Sequence, residues 1–312
     1  MKAQIVEGWP KENSIRISLS ETDASQVNAI RRALISDVPK LAITRVNISQ
    51  GVVETDGQIL ESVNVLPDEM LAHRLAMIPV PTYPEEKLDF FETCPVCIDM
   101  VEAEKGCPQC QVLYSLNIQG PAPDAEEDHI TVYAGDLTTI SDPMFDIKEE
   151  HRRIPITILS KGQYLELYAF ATLGRGASHQ KWSPVAGVGF SNRNVAKLNN
   201  AKKAETLFAL GLKTSDGRDI DAKLFKNKQV DDVNTVMDLE RALHQVGPGT
   251  GRDADFDGAI TLEQVEGEYV LSYETDGSLD PVTVFNLAMD ELSNRFACLL
   301  YTSDAADDCR CV

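Results

Sequence analysis

Ile15, Ile17 and Leu19 alternate with polar residues, a period of two that predicts a half-buried strand. The period then changes to that of a helix. Asp23 stands where it can cap one, Gln26 lies three residues on, and Val27, Ile30 and Leu34 form one apolar stripe that ends at Val38-Pro39. Arg31 and Arg32 fall between the stripe positions, on the other side. Ala42 to Ile48 predicts a second strand. Pro67 opens a further helix, with Asp68 and Glu69 in its first turn, where they favour the positive end of the helix dipole, and Pro79 closes it. His73 and Arg74 ride on that helix.

Short β-rich stretches at Val112 to Ile118, Ile130 to Tyr133, Ile154 to Leu159 and Tyr164 to Thr172 are separated by turns and predict a mostly β region. Val185 to Phe190 and Glu268 to Tyr273 read as strands, with a helix at Val233 to Val246 between them. The final helix is expected to start at a cap, Asp280, with Pro281 as its first residue. Along it Phe285, Met289, Leu292 and Phe296 recur at four, three and four, a narrow seam that can pack on its own sheet or on another chain. The expected class is α+β.

With 312 residues, 43% of them hydrophobic and 25% charged, the chain can bury one large core or two modest ones. No apolar run approaches the roughly 20 residues that cross a bilayer, and the N-terminus lacks a basic region followed by a hydrophobic one. A cytoplasmic protein without membrane contact is expected. Forty-nine acidic residues against twenty-nine basic ones give a net charge of −20, which disfavours broad direct contact with DNA. The stretches Asp124 to Asp128, Asp216 to Asp221 and Asp253 to Asp257 read as solvated acidic loops.

The strongest chemical signal is Cys94-Pro-Val-Cys97 followed, after nine intervening residues, by Cys107-Pro-Gln-Cys110. Each short spacer lets a pair of thiolates converge, and two such knuckles can surround one tetrahedral ion. With all four positions filled by sulfur, nothing is left open for water or substrate, so the site braces a loop and does not catalyse. Four thiolates suit zinc, a rubredoxin-like iron or an iron–sulfur cluster. The two-pair spacing favours zinc and does not match the closely spaced three-cysteine run that feeds a cubane. The remaining cysteines, Cys298, Cys309 and Cys311, fall in residues 298–312. That segment, beginning Cys298-Leu-Leu-Tyr-Thr-Ser-Asp-Ala-Ala-Asp307, resembles the translation of a sequencing adapter and is set apart from the fold as non-native.

Other motifs are weaker. Asp253, Asp255, Asp257, Gly258, Ile260 and Thr261 match the start of a calcium-binding EF loop, but position twelve is Gln264, with Glu263 one place early, so an acidic surface turn is preferred. Gly174-Arg-Gly176-Ala-Ser-His179 lacks the Lys-Ser/Thr ending of a phosphate loop and reads as a turn after a strand. The five histidines show no ligand spacing, and no nucleophile elbow or dinucleotide fingerprint is present. No catalytic residue is assigned.

Four segments together resemble the archaeal D-type, alpha-like family of DNA-directed RNA polymerase subunits, related to the third-largest subunit of eukaryotic polymerase II and to the assembly half of bacterial alpha. They are Asn28-Ala-Ile-Arg-Arg-Ala33 running into Val38-Pro-Lys-Leu-Ala42; Asp68-Glu-Met-Leu-Ala-His-Arg-Leu-Ala-Met-Ile-Pro79; Leu173-Gly-Arg-Gly-Ala-Ser-His-Gln-Lys-Trp-Ser-Pro-Val185; and Gly277-Ser-Leu279. The resemblance implies a discontinuous alpha-like dimerisation domain, sheet plus helices, formed by residues 1–46 and 183–297. A mostly β insertion domain, 47–182, would carry the Cys₄ zinc knuckle. It also implies a noncatalytic assembly role: pairing with a small alpha-like subunit L, recruiting subunits N and P, and supporting the two large catalytic subunits, with DNA met only through the complex. Arg31, Arg32, His73 and Arg74, and the Phe285–Met289–Leu292–Phe296 seam, would then belong to subunit interfaces.

One departure stands out. Many archaeal relatives hold a ferredoxin-like module with iron–sulfur clusters in the last third of the chain, yet residues 185–297 contain no cysteine. A degenerate, cluster-free region at about 192–264 and a single structural zinc are expected. Two rival readings are a free-standing zinc enzyme, which needs an open coordination position, and a zinc-dependent interaction or nucleic-acid-binding protein, which needs a basic face.

Overall fold

A short strand, β1 (Lys2–Ile5), pairs antiparallel with β2 (Ser14–Ser20), in which Ile15, Ile17 and Leu19 are buried and the alternate residues are not. Asp23 then caps α1 (Ala24–Ser36), its carboxylate accepting from the amides of Ser25 at 2.7 Å and Gln26 at 3.0 Å. The buried residues of α1 are Val27, Ile30 and Leu34, the expected stripe, together with Ala33. The computed structural model describes residues 1–55, 58–62, 66–101, 104–246 and 258–301. The chain divides into two units, one made of Met1–Arg31 and Gly187–Tyr273, the other of Arg32–Ala186 and the chain from Glu274 on.

In the first unit a five-stranded sheet runs in the order β1-β2-β13-β11-β12. β11 (Val185–Leu198) and β13 (Ile260–Thr275) are far longer than the apolar stretches Val185 to Phe190 and Glu268 to Tyr273 predicted. Their outer halves are largely exposed or half-buried and so carry little hydrophobic signal. Between them lie α3 (Ala201–Phe208), β12 (Gln229–Val230) and α4 (Val233–Val246), gathered around Ala196, Ile220, Phe225, Val230, Val236 and Leu239. α4 has the predicted bounds. Its start is held by Asp232, which accepts from the Thr235 amide at 2.8 Å and hydroxyl at 2.6 Å. The EF-like Asp253, Asp255 and Asp257 lie outside the described residues.

The second unit is built on a four-stranded sheet, β3-β10-β6-β8, of β3 (Pro39–Ser49), β10 (Tyr164–Arg175), β6 (Val112–Gln119) and β8 (Thr138–Thr139). β10 is antiparallel to both neighbours, with Leu173 opposite Leu41 and Leu167 opposite Leu116. Two ribbons accompany it: β4 (Val52–Thr55) with β5 (Gln58–Glu61), and β7 (His129–Tyr133) with β9 (Pro155–Ser160). α2 (Asp68–Ala76) follows Pro67 as expected and sends Leu71 and Leu75 into a core shared with Leu41, Ile43, Tyr114 and Leu167. Inside that core the Tyr114 hydroxyl donates to the Phe145 carbonyl at 2.6 Å. Burial, with the Asp146 charge and Tyr83 adding to it, pushes the phenol well above its ordinary range, so it remains a donor.

Between β13 and the last helix, α5 (Pro281–Tyr301), the turn Asp276-Gly277-Ser278 gathers distant parts of this unit. Lys40, whose side chain is only 5% exposed, pairs with the Asp276 carboxylate and donates to the Lys181 carbonyl at 3.1 Å. The Asp276 amide donates to the Pro184 carbonyl at 3.0 Å, and the Thr82 amide to the Ser278 carbonyl at 3.1 Å. Lys148 donates to the Gly277 carbonyl at 2.6 Å. Gly277 has φ +83°, and a Cβ there would collide with the His151 ring, so both conformation and space require glycine. Asp280 then caps α5, accepting from the amides of Val282 and Thr283 at 3.0 Å each.

Two outcomes follow for stability. Tyr114→Phe leaves the buried Phe145 carbonyl without its donor and should lower the unfolding free energy by about 1–3 kcal/mol, read by urea denaturation. At Asp280, burial opposes ionisation, but the hydrogen bonds from Thr283 and Val282 and the nearby Lys148 charge outweigh it and lower the carboxyl's pKa. Because the folded-state value is depressed, the cap's ionic contribution is complete above the ordinary carboxylate pKa of about 3.9 and is lost as pH falls through the lowered value. Asp280→Ala should therefore cost about 1 kcal/mol at neutral pH, with the gap to the parent closing in stronger acid.

Candidate metal centre and subunit surface

The four predicted cysteines come together. A single turn of 3₁₀ helix at Phe91–Thr93 delivers Cys94, and in each knuckle the first cysteine's carbonyl accepts from the amides three and four residues on. In the first knuckle Cys97 and Ile98 donate to Cys94 at 3.0 and 2.9 Å; in the second, Cys110 and Gln111 donate to Cys107 at 3.0 and 3.1 Å. The two turns are thus built alike, as the shared C-x-x-C spacing requires. Gly106, at φ +129°, makes the bend into the second.

The sulfur pairs Cys94–Cys107, Cys107–Cys110 and Cys97–Cys110 are 3.6, 3.7 and 4.0 Å apart, and all four sulfurs lie within 4.8 Å of one another. A tetrahedron of thiolates at about 2.3 Å from a zinc ion has edges of roughly 3.8 Å, so the donor set fits one four-coordinate ion. Cys94, Cys97 and Cys110 are buried and Cys107 half-buried, against Phe91. Burial pushes the Cys110 thiol up to about 12, with the adjacent thiols adding to the rise and the Cys107 backbone hydrogen bond opposing it. A cation at the centre is what would let this cluster ionise. A bound ion would crosslink the two knuckles and supply no reactive position, since the four sulfurs complete its shell.

The second predicted surface lies on α5, which has two apolar faces. Val284 and Ala288 are buried, and one turn and two turns further on the same side Glu291 pairs with Arg175 at 2.9 Å and Arg295 with Asp37 at 2.6 Å. The seam of Phe285, Met289 and Leu292 is only half-buried, and Phe296 is 61% exposed. Of the basic residues placed with it, Arg31 is half-buried and donates to Asn28 at 3.0 Å, while Arg32 is exposed. His73 is exposed on α2, flanked by the outward-facing Met70 and Met77. Arg74 is engaged within its own unit, where its guanidinium donates to the Ile156 carbonyl at 2.9 Å. In the Gly174–His179 stretch Gly174 and Arg175 end β10 and Gly176–Ser178 form the turn after it, with the Ala177 amide donating to the Ser36 carbonyl at 2.9 Å and His179 Nδ1 accepting from the Lys181 amide at 3.1 Å.

Reading the sequence did not single out Lys40, Asp276, Arg175, Glu291 or Arg295. Lys40 and Arg175 do lie within the segments that carried the resemblance, and their ion pairs with the half-buried Asp276 and Glu291 explain why charged residues stand in otherwise apolar or glycine-rich stretches.

The family described as RNA polymerase Rpb3/Rpb11 dimerisation domain matches residues 16–296. The chain is similar to DNA-directed RNA polymerase subunit Rpo3 of Picrophilus torridus, 31% identical over 92% of this chain and 94% of the relative. The Rpo3 of Thermoplasma volcanium is 30% identical over 88% of this chain and 90% of the relative, and that of Methanosarcina acetivorans 36% over 61% and 60%.

Elemental analysis of the purified chain should find one metal ion per chain, lost in the double variant Cys94→Ser/Cys97→Ser. Because binding displaces thiol protons and burial raises the Cys110 thiol, the affinity should fall steadily as pH is lowered through the neutral range, whichever metal is bound. An ion count unchanged in the double variant contradicts the site.

Proposed function

The chain belongs to the RNA polymerase Rpb3/Rpb11 dimerisation family and is a noncatalytic subunit of a DNA-directed RNA polymerase, and from that premise we propose that it is the complex's assembly platform. In this reading it pairs with the small alpha-like subunit L, recruits subunits N and P, and supports the two large catalytic subunits. Residues 1–46 and 183–297 form the dimerisation domain and 47–182 the insertion. The region at about 192–264 is a ferredoxin-like remnant that holds no iron–sulfur cluster, since residues 185–297 supply no thiolate and an apolar core around Phe225 and Leu239 occupies it. The ion at Cys94, Cys97, Cys107 and Cys110 is a structural zinc. Sulfur separations of 3.6–4.0 Å support one ion, because a cluster spreads its thiolates over several irons. The protein works in the cytoplasm; among the described residues no helix is long and apolar enough to cross a membrane.

The observation that carries this reading is the second apolar face of α5. An isolated protein gains little from holding Leu292 half-open and Phe296 exposed beside Phe285 and Met289, whereas burying such a stripe is a main driving force for association. Arg31 and Arg32 on α1, and His73 on α2, are the polar contacts proposed to accompany it; Arg74 would contribute the part of its guanidinium that Ile156 does not engage.

Co-expression with the small alpha-like subunit of the same genome tests the proposal. The chain truncated at Ala297 should elute as a one-to-one heterodimer with it. Leu292→Asp/Phe296→Asp should weaken it by roughly a hundredfold or more, a loss of about 3 kcal/mol, while leaving the thermal midpoint of the isolated chain nearly unchanged. A parent chain that stays folded and monomeric beside that partner contradicts the platform role.

A further inference from the structure

Alongside the second cysteine knuckle runs a cleft of 760 Å³, bounded by that knuckle (residues 106–109), the segment 86–89, the start of β6 and the loop 140–145 after β8. Its lining is apolar where it meets the sheet. Leu88, Leu113 and Met144 are half-buried there and Ile140 is 53% exposed. The rim is acidic: Glu86, Asp89 and Asp142 face a single Lys87. The walls are firm, because their own backbone groups are used. The Ile140 amide donates to Leu113 at 2.8 Å, Leu113 donates to the Ser141 hydroxyl at 3.1 Å, and the Asp89 amide donates to Gln109 of the knuckle at 2.8 Å.

A firm cleft of this size, apolar on its sheet side and polar at its rim, suits a short stretch of chain with one or two side chains inserted, and an acidic rim on a protein of net charge −20 selects against anionic ligands. We propose that the cleft docks an extended segment of another polymerase subunit, bearing an aliphatic or aromatic anchor flanked by lysine or arginine. The identification of the partner as a polymerase subunit rests on the assembly role above; the chemistry of the segment rests on the cleft. The metal centre then acts beyond local stability. One wall is the loop between Gly106 and Cys110, fixed at Cys107 and Cys110, so the ion sets the width of the docking site.

The test uses the full metal-loaded chain and overlapping peptides tiled across the other polymerase subunits of the same genome, with hits measured by fluorescence anisotropy. Peptides with an apolar residue beside Lys or Arg should bind. Ile140→Asp should weaken them at least about tenfold, and Asp89→Lys should weaken them while reducing their salt dependence. Removing the ion with a chelator should abolish binding while the far-ultraviolet circular dichroism of the sheet persists. Ion content and pairing with the small alpha-like subunit serve as folding controls for both variants, and Asp89→Lys decides alone if Ile140→Asp fails them. If the chain pairs with that subunit but no tiled peptide binds, or binding is equal in parent and variants, the cleft proposal is wrong. If the parent does not pair at all, the assembly reading fails instead.

Discussion

Burying an ammonium group costs several kcal/mol unless a carboxylate and further acceptors meet it, and for Lys40 in the second unit Asp276 and the Lys181 carbonyl meet that condition. The two residues are 236 positions apart. Around them the Thr82, Lys148 and Pro184 contacts bring four stretches of chain onto one turn. Removing one partner would strand the other charge, so the pair fixes which segments meet more than it adds net stability. What it fixes is the origin of α5. With Asp276 held and Asp280 capping, the helix leaves the turn in one direction and its inner face is committed to Val284, Ala288 and the ion pairs of Glu291 and Arg295. Its outer seam stays half-buried, with Phe296 exposed, and is the surface proposed to meet another chain.

The metal centre solves a different problem. Residues 84–111 contain few large buried side chains besides the cysteines themselves, so an apolar core cannot hold the two knuckles. Four sulfurs placed to hold one ion stand where that core would be. The matching hydrogen bonds of the two turns show how little else is required, and the same economy leaves one face of the second knuckle free to border a cleft.

The elements with strong periods were legible in the sequence: β2, α1 and α5 begin where their stripes and caps placed them, and α4 has the bounds expected for it. The cysteine site was legible because its geometry is local, two turns of fixed spacing. Other features were not, for physical reasons. The outer half of β11 is mostly polar, and in that of β13 the alternation of Ile260 and Leu262 with Thr261 and Glu263 slips at Gln264-Val265, too short a run to mark a strand. α3 buries only Ala204 and Leu207 along one short face. The β4–β5 ribbon keeps Val52 and Ile59 outward, so its pattern resembles no half-buried strand. The Lys40–Asp276 and Asp37–Arg295 pairs join residues that no local window contains together, and only the fold reveals them. The seam on α5 was visible as a pattern, but whether it faced its own sheet or another chain depended on the inner face chosen by Val284 and Ala288.

The most direct measurement is amide hydrogen exchange of the chain alone and in the presence of the small alpha-like subunit. A helix anchored on its inner face and docked on its outer one should gain protection across residues 281–297, while the already buried Asp276–Ser278 turn changes little. Unchanged exchange along 281–297 in a saturated mixture would contradict the account.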